Sequence, residues 1–163
     1  MTGWLGQESQ DDEAAKPRSV LFLCGENVIR SPLAEVLARN LLPPSIFVAS
    51  AGVRSGEREP FVDAVLAESG LSLPPDWHPC RLDEMEDLYF DLIVTLSPEA
   101  HHTAMELTRT QAVEVEYWPT LDPSVIEGAR EHVLAAYREV RDGLAERIKR
   151  RFHFASAIPS DER

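Results

Sequence analysis

One short segment of the chain holds a thiol, an arginine and a serine at a spacing that suits oxyanion chemistry. Cys24 follows the apolar run at residues 20–23, and Arg30-Ser31-Pro32 closes the turn after it. A run this short and apolar is typical of a buried strand. Ser31 before Pro32 predicts a helix N-cap followed by proline at the first helical position. The Cys24 thiol is therefore predicted to lie at the carboxyl end of a strand, facing a helix N-terminus.

Such a position favours both a bound oxyanion and an ionised thiol, because unpaired backbone N–H groups and the helix dipole point towards it. In an in-line displacement at phosphorus, Cys24 would be the nucleophile, the amides of residues 25–30 the cradle, and Arg30 a bidentate clamp. Ser31 is expected to donate its hydroxyl to the Cys24 sulfur. Asn27 is expected to cross-brace the loop or to adopt a left-handed conformation. The alternative is a buried structural cysteine, which the flanking strand and helix argue against.

Beyond this loop, apolar runs alternate with helical patterns. Further strands are predicted at residues 46–51, 91–96 and 113–118, and helices at 32–42, 60–69, 82–88, 98–108 and 125–152. The alternation predicts an α/β fold, a single three-layer domain whose four-stranded parallel sheet is flanked by helices and binds ligands at the carboxyl ends of its strands. The closing helix carries a continuous apolar stripe: Val133, Tyr137, Val140, Leu144 and Ile148.

The loop and three later motifs resemble one known family. Ser50-Ala51-Gly52, the apolar run at residues 90–96 and Asp122-Pro123 follow the loop in the order seen in the low-molecular-weight protein tyrosine phosphatases and the arsenate reductases that share their fold. The resemblance implies that Asp122 lies in the loop bearing the general acid. The predicted catalytic residues are then Cys24, Arg30 and Asp122, and the predicted substrate-binding residues are Gly25, Glu26, Asn27, Val28, Ile29, Arg30 and Ser31.

The resemblance implies a metal-independent cysteine phosphatase that hydrolyses phosphomonoesters, protein phosphotyrosine or a related aryl phosphate, through a cysteinyl-phosphate. No metal and no cofactor are expected. The expected partners are a phosphorylated protein or a small phosphomonoester, with phosphate, sulfate or arsenate as ligands. Two alternatives stay open: an arsenate reductase that uses an external thiol, and an oxyanion-binding regulatory module without turnover.

The cysteine pattern departs from both branches of the family. Thioredoxin-coupled arsenate reductases of this fold use two further cysteines after the third strand, and here Ser97 and Ala104 stand at those positions. Ile29 replaces the second loop cysteine of the phosphatases. The remaining thiol, Cys80, lies before the third strand. Reduction by three cysteines of one chain is therefore excluded, and arsenate reduction would need a thiol such as glutathione or mycothiol.

Glu26 stands where the family usually has glycine. A positive φ at this position would strain glutamate by about 1 kcal/mol, and a carboxylate facing the bound anion would repel it. The carboxylate can also point outward. The aromatic walls of the family's slot are replaced by Val53-Arg54-Ser55 and Ser124-Val125. Four aromatic residues are candidates to line the mouth instead: Trp118, Tyr117, Trp77 and Tyr89.

Composition narrows the classes of partner. The chain has 163 residues with 44% apolar content, enough for one domain. Its 28 acidic and 16 basic residues give a net charge of −12, which argues against duplex nucleic acid and anionic membranes. Two distant cysteines, and no recognisable membrane span or signal peptide, predict a cytoplasmic protein. Residues 1–18 are expected to be a flexible acidic tail, 19–153 the folded domain and 154–163 a second flexible tail.

Three further clusters have less specific patterns. His101-His102 lies in a predicted helix near two glutamates, where a solvated helix face is favoured over a metal site. The segment His78-Pro79-Cys80-Arg81 is interpreted as a structural turn with a packed thiol rather than a redox site. The basic residues at positions 147–151 complement the dipole of the closing helix, and a binding patch is the lesser alternative.

Overall fold

The computed structural model describes residues 16–86 and 89–152. Most of the predicted N-terminal tail and all of the predicted C-terminal tail lie outside these residues, as does the end of the helix predicted at 82–88. The proposed division into one domain and two tails stays a prediction.

A four-stranded sheet forms the centre of the fold. Its strands are β1 (Ser19–Cys24), β2 (Phe47–Gly52), β3 (Leu92–Thr95) and β4 (Glu114–Tyr117), and they lie in the order β2-β1-β3-β4. Every neighbouring pair is parallel. The chain passes from β1 to one side and returns to the other side with β3, so the topological switch point lies at the carboxyl ends of β1 and β3. The predicted α/β fold is confirmed, and Cys24 lies at the switch point.

Within the described residues, four α-helices cover the sheet: α1 (Arg30–Leu41), α2 (Pro60–Ala67), α3 (Pro98–Leu107) and α4 (Arg130–Phe152). Three predicted helix bounds are clearly wrong, the first being the start of α1, which lies at Arg30 instead of residue 32. The helix predicted at 82–88 is a 3-10 turn over Leu82–Glu84. The closing helix begins at Arg130 instead of residue 125, after a separate 3-10 turn over Pro123–Val125. Gly128 explains the later start, because its φ of 128° is incompatible with a continuous helix.

The two faces of the sheet pack against different helices. Along β1, Val20, Phe22 and Cys24 belong to the buried cluster shared with α1, α2 and α4. Leu21 and Leu23 belong to the cluster on the α3 side. This alternation follows from the two-residue period of a strand. It points the Cys24 side chain towards α1, and only 2% of the residue is exposed.

The apolar stripe of α4 is as predicted with one change of register. Tyr137, Val140, Leu144 and Ile148 are buried, whereas Val133 is only partly buried and Leu134 takes the inward position. No helix of the described residues is sufficiently long and apolar to span a membrane.

Glu68, the C-cap of α2, generates a prediction about stability. Its carboxylate lies 2.9 Å from Arg138 Nη2 and 2.8 Å from Arg141 Nη1 of α4. The hydrogen bonds from Arg138 and then Arg141 lower the pKa of Glu68 from 4.5 to about 2. A carboxyl whose pKa is depressed by folding stabilises the protein above its ordinary pKa, and this contribution is lost as the pH falls towards the folded value.

We therefore expect Glu68→Gln to lower the free energy of unfolding at neutral pH. The difference from wild type should shrink as the pH falls from 4.5 towards 2. Urea titrations over a pH series measure it. Glu131→Gln is the matched control: among the described residues that more exposed carboxylate pairs only with Arg138, so its loss should lower the free energy of unfolding less. A difference that stays constant with pH would mean that the glutamate acts through packing instead of charge.

Candidate active site

Helix α1 begins two residues earlier than predicted. Helix α1 begins at Arg30, and Ile29 occupies the N-cap position without a side-chain cap. The prediction that Ser31 is the N-cap is therefore wrong. Ser31 is fully buried, and its hydroxyl bonds inside the loop instead of to the helix terminus. Pro32 still falls in the first turn, where a missing N–H costs no helical hydrogen bond.

Hydrogen bonds orient the Ser31 hydroxyl towards Cys24. The backbone N–H of Cys80 donates to Asn27 Oδ1 at 2.8 Å, so the Asn27 Nδ2 group must face the other way and donates to Ser31 Oγ at 2.8 Å. Ser31 Oγ lies 3.0 Å from Cys24 Sγ and 3.4 Å from the Ala51 carbonyl. A thiolate can only accept, so when Cys24 is ionised the Ser31 hydroxyl is the donor to Sγ, in preference to the more distant Ala51 carbonyl. A donor in this place stabilises the thiolate form of Cys24.

Asn27 adopts a left-handed conformation and also cross-braces the loop, the two alternatives that the sequence predicts for it. Its φ is 59°, in the left-handed region, and its side chain crosses the loop. The second Nδ2 hydrogen bond goes to Ser50 Oγ at 2.9 Å, and Ser50 in turn donates to Glu35 on α1. Since a carboxylate only accepts, the direction of each hydrogen bond in this chain is determined.

Gly52 at the end of β2 and Gly56 just after it let this segment pack closely on the loop. A Cβ on Gly52 would lie 2.5 Å from the carbonyl carbon of Glu26, and one on Gly56 would overlap Val28. The backbone N–H groups of Val53 and Arg54 both donate to the Gly25 carbonyl at 2.8 Å. These contacts hold the loop from outside, and they explain the glycine that ends the Ser-Ala-Gly motif.

The loop surrounds a cavity of about 270 Å³. The cavity is lined by Cys24, Gly25, Glu26, Val28, Ile29, Arg30, Arg54, Asp122 and Ser124. It therefore brings together the three predicted catalytic residues and most of the predicted binding residues, whereas Asn27 and Ser31 are buried beneath it. Among the described residues, no hydrogen bond joins the amides of residues 25–29 to a protein acceptor. Donors of this kind, curled around a thiol, are suited to an oxyanion.

Arg30 and Asp122 are held at the cavity by backbone contacts. Arg30 Nη1 donates to the Thr120 carbonyl at 2.9 Å, and Arg30 Nη2 lies 3.9 Å from Asp122 Oδ2. The other carboxylate oxygen, Asp122 Oδ1, accepts from the backbone and the hydroxyl of Ser124 at 3.0 and 2.7 Å. One oxygen of Asp122 thus positions its loop, and the other faces the guanidinium at the cavity.

Glu26 is paired with an arginine at the rim of the cavity. Its Oε2 lies 2.7 Å from Arg54 Nη1, and Arg54 makes a bidentate pair with Glu99 at 2.9 Å for each bond. The hydrogen bonds that Arg54 donates to Glu99 and then to Glu26 raise the pKa of its guanidinium, and the same bond lowers the pKa of Glu99. Among the described non-glycine residues, positive φ occurs at Asn27 alone, so Glu26 carries no such strain.

The prediction that aromatic rings from elsewhere line the mouth is wrong. Trp118 is buried edge-on against Phe22, Tyr117 stacks on His101, and the Trp77 ring lies beside the Arg58 guanidinium. Tyr89 is not among the lining residues either. The rings of Trp118, Tyr117 and Trp77 are thus used in packing, and the exposed residues at the cavity include the polar Glu26 and Arg54.

The remaining sequence candidates have structural contacts. His101 Nδ1 lies 3.0 Å from Thr95 Oγ1, and the described residues contain no group of three or more His, Cys, Asp and Glu placed to hold a metal ion. Cys80 is half-buried, and burial raises the pKa of its thiol. In the basic cluster, Arg147 lies over the Trp118 ring and Arg151 pairs with Glu116.

Comparison with known proteins gives a match over the described fold. The model of the family described as low molecular weight phosphotyrosine protein phosphatase matches residues 19–153. An arsenate reductase of Bacillus licheniformis is 31% identical over 135 residues, 82% of this chain and 94% of the relative. An arsenate reductase of Shouchella clausii is 30% identical, over 80% of this chain and 92% of the relative.

Solved structures of both activities are similar to this fold. The arsenate reductase of Archaeoglobus fulgidus is 29% identical with a TM-score of 0.64, covering 82% of this chain and 98% of the other. The tyrosine phosphatase AmsI of Erwinia amylovora is 25% identical with a TM-score of 0.63, covering 82% and 92%. The relatives therefore include phosphatases and arsenate reductases, and the similarities do not separate the two activities.

The two free cysteines generate a prediction about reactivity. We expect iodoacetamide to alkylate Cys24 before Cys80, because Ser31 stabilises the Cys24 thiolate whereas burial raises the pKa of Cys80. Inorganic phosphate should slow the reaction at Cys24 alone, by occupying the same cavity. Peptide mass spectrometry with and without phosphate measures both rates. Faster modification of Cys80, or equal protection at both thiols, would show that Cys24 is a structural cysteine.

Removing the Ser31 hydroxyl tests the hydrogen-bond direction. Ser31→Ala should slow alkylation of Cys24 about tenfold at neutral pH, because a hydrogen bond to a charged group contributes about 1.5 kcal/mol. Ser97→Ala, which removes the hydroxyl that caps α3, is the control and should leave this rate unchanged. Equal rates in the two variants would contradict the assignment.

Proposed function

The chain belongs to the low molecular weight phosphotyrosine protein phosphatase family, and we propose that it is a metal-independent cysteine phosphatase acting on phosphomonoesters. The observation that carries the proposal is the convergence of the Cys24 thiol, the unpaired loop amides, Arg30 and Asp122 at one cavity. An in-line phosphoryl transfer needs a nucleophile, donors for the equatorial oxygens and an acid for the leaving group. Each of these groups is supplied by a residue at this cavity.

In the proposed first step, the Cys24 thiolate attacks phosphorus and the bond to the ester oxygen breaks. Arg30 and the amides of residues 25–30 stabilise the charge that develops on the phosphoryl oxygens. Asp122 Oδ2, the oxygen not used by Ser124, donates a proton to the leaving oxygen. The alcohol or phenol leaves, and a cysteinyl-phosphate remains.

In the second step, water attacks phosphorus and transfers its proton to Asp122, now acting as a base. The sulfur–phosphorus bond breaks, which returns the thiolate and inorganic phosphate. The Ser31 hydrogen bond favours this release, because it stabilises the sulfur as an anion.

We propose an aryl phosphate such as phosphotyrosine as the substrate, with a weak preference for an aromatic leaving group. The cavity lining has no aromatic side chain, and the rim carries Glu26, Arg54 and Ser124 instead. A polar rim provides little stacking energy for a ring, so aryl and alkyl phosphates should differ mainly through the leaving ability of their oxygen.

Arsenate reduction is the second candidate, because curated relatives near 30% identity carry that name. It takes two electrons from two sulfurs, and Cys80 is the one other cysteine of the chain. Cys24 pairs with Gly52, and Gly52 bridges to Arg81 on its far side. Two strand spacings put the Cα of Arg81, the residue after Cys80, about 9 to 10 Å from that of Cys24, and both cysteines are free thiols in the structure. The second thiol would have to come from another molecule.

Asp122→Asn tests the proposed acid. On phenyl phosphate, whose leaving group needs a proton, the variant should lose about a hundredfold or more in kcat. On 2,4-dinitrophenyl phosphate, whose leaving group departs without one, the loss should be small. Asp63→Asn, at a carboxylate paired with Arg58, is the control and should match wild type on both substrates. Equal losses of Asp122→Asn on both would make Asp122 a structural residue.

The same preparations separate the alternatives. Arsenite formation with glutathione or mycothiol, without hydrolysis of either aryl phosphate, would favour the reductase. Phosphate protection of Cys24 without either activity would favour the binding module.

A further inference from the structure

Arg54 binds two carboxylates at the rim of the cavity. Its Nη1 contacts Glu26 at 2.7 Å, while Nε and Nη2 contact the two oxygens of Glu99 at 2.9 Å. We call this group the rim bridge: Glu26, Arg54 and Glu99. Glu26 belongs to the loop, Arg54 follows β2, and Glu99 lies in the first turn of α3. The rim bridge therefore joins three separate parts of the chain beside the nucleophile.

The rim bridge lies directly on the first residue of the loop. A Cβ on Gly25 would be 3.2 Å from Arg54 Nη2 and 3.3 Å from Glu99 Oε1. The backbone N–H of Arg54 also donates to the Gly25 carbonyl at 2.8 Å. Gly25 follows Cys24, and both Glu26 and Arg54 line the cavity. The charges of the rim bridge are therefore close enough to act on an anion bound over Cys24.

Glu26 alone would oppose anion binding. Its side chain is 46% exposed and arises from the loop whose amides surround the cavity. A mobile carboxylate in that place samples positions near the anion, and like charges at such distances repel. Arg54 prevents this in two ways: it supplies the opposite charge, and its planar fork fixes the carboxylate beside the guanidinium. Glu99 occupies the remaining edge of that fork and keeps Arg54 in place.

We propose that Arg54 is a positioning residue that neutralises Glu26 and holds its carboxylate away from the anion, so that a loop containing glutamate still binds phosphate. The inference rests on the anion site of the proposed function and not on turnover. It explains why a glutamate can replace glycine in this loop, and it assigns a role to an arginine at the rim where the family has an aromatic wall.

The test is a double-mutant cycle read out by phosphate binding. The Kd of inorganic phosphate is measured by calorimetry for wild type, Arg54→Met, Glu26→Gln and the double variant. Arg54→Met should raise the Kd about tenfold while Glu26 is present, because the freed carboxylate then repels the anion. In the Glu26→Gln background the same substitution should raise it less than about twofold. Arg54→Lys, which keeps the charge, should recover part of the loss.

Two controls test whether the change in Kd comes from losing any paired arginine or from unfolding of the loop. Arg58→Met removes another paired arginine, whose partner is Asp63, and should leave the Kd unchanged. The double variant lacks Arg54 as well, so its tight binding would show that loss of the arginine does not unfold the loop. Thermal melting of each variant checks the fold directly.

Each result decides the inference. The inference is supported if Arg54→Met raises the Kd of phosphate by a factor at least five times larger when Glu26 is present than in the Glu26→Gln background. A similar loss of phosphate affinity in both backgrounds would mean that Arg54 binds the anion itself or only supports the fold. No loss of affinity in either background would show that Arg54 has no role in phosphate binding. Wild type that binds phosphate without hydrolysing esters would contradict the proposed phosphatase and leave this inference standing. Wild type that binds no phosphate would contradict both.

Discussion

The shape of the loop between β1 and α1 depends on the side-chain amide of Asn27. Its left-handed backbone turns the loop inward, and its amide bonds to Ser31, Ser50 and the backbone of Cys80. These partners lie on α1, on β2 and on the segment beside β2, so one residue joins the loop to three parts of the fold. The amide is buried, and losing one partner would leave a polar group unsatisfied at a cost of about 1–3 kcal/mol. The positions of Cys24 and Arg30 thus depend on a residue that does not line the cavity.

The predictable parts of the fold and site are those recorded in short stretches of sequence. Local patterns predict the strand before Cys24 and the order of strands and helices, and the structure confirms them. They also predict the left-handed conformation and the cross-bracing side chain of Asn27. Ser31 shows where a local pattern misleads. A serine before a proline is a good N-cap, but here Cys24 and Asn27 compete for its hydroxyl. Gly128 is similar, because a lone glycine in a helical pattern does not reveal the positive φ that delays α4.

The polar rim could not be predicted, since its contacts join distant residues. Arg54 lies 28 positions from Glu26 and 45 from Glu99, and no spacing rule links them. The one signal in the sequence was the coincidence of two departures from the family pattern, a glutamate in the loop and an arginine in place of an aromatic wall. The structure brings these two departures into contact. Cys24 and Cys80 are both free thiols, so on the proposed function Cys24 is the one sulfur at the cavity that can act on a bound anion.

The most direct test of this account is whether a phosphoryl group becomes attached to the Cys24 sulfur. Rapid acid quenching of the wild-type protein during turnover of an aryl phosphate, followed by intact-mass and peptide mass spectrometry, detects such an adduct. The account predicts a transient gain of one phosphoryl group, located on Cys24 and absent from Cys24→Ser. Steady release of phosphate with no adduct on Cys24, or an adduct on another residue, would contradict it.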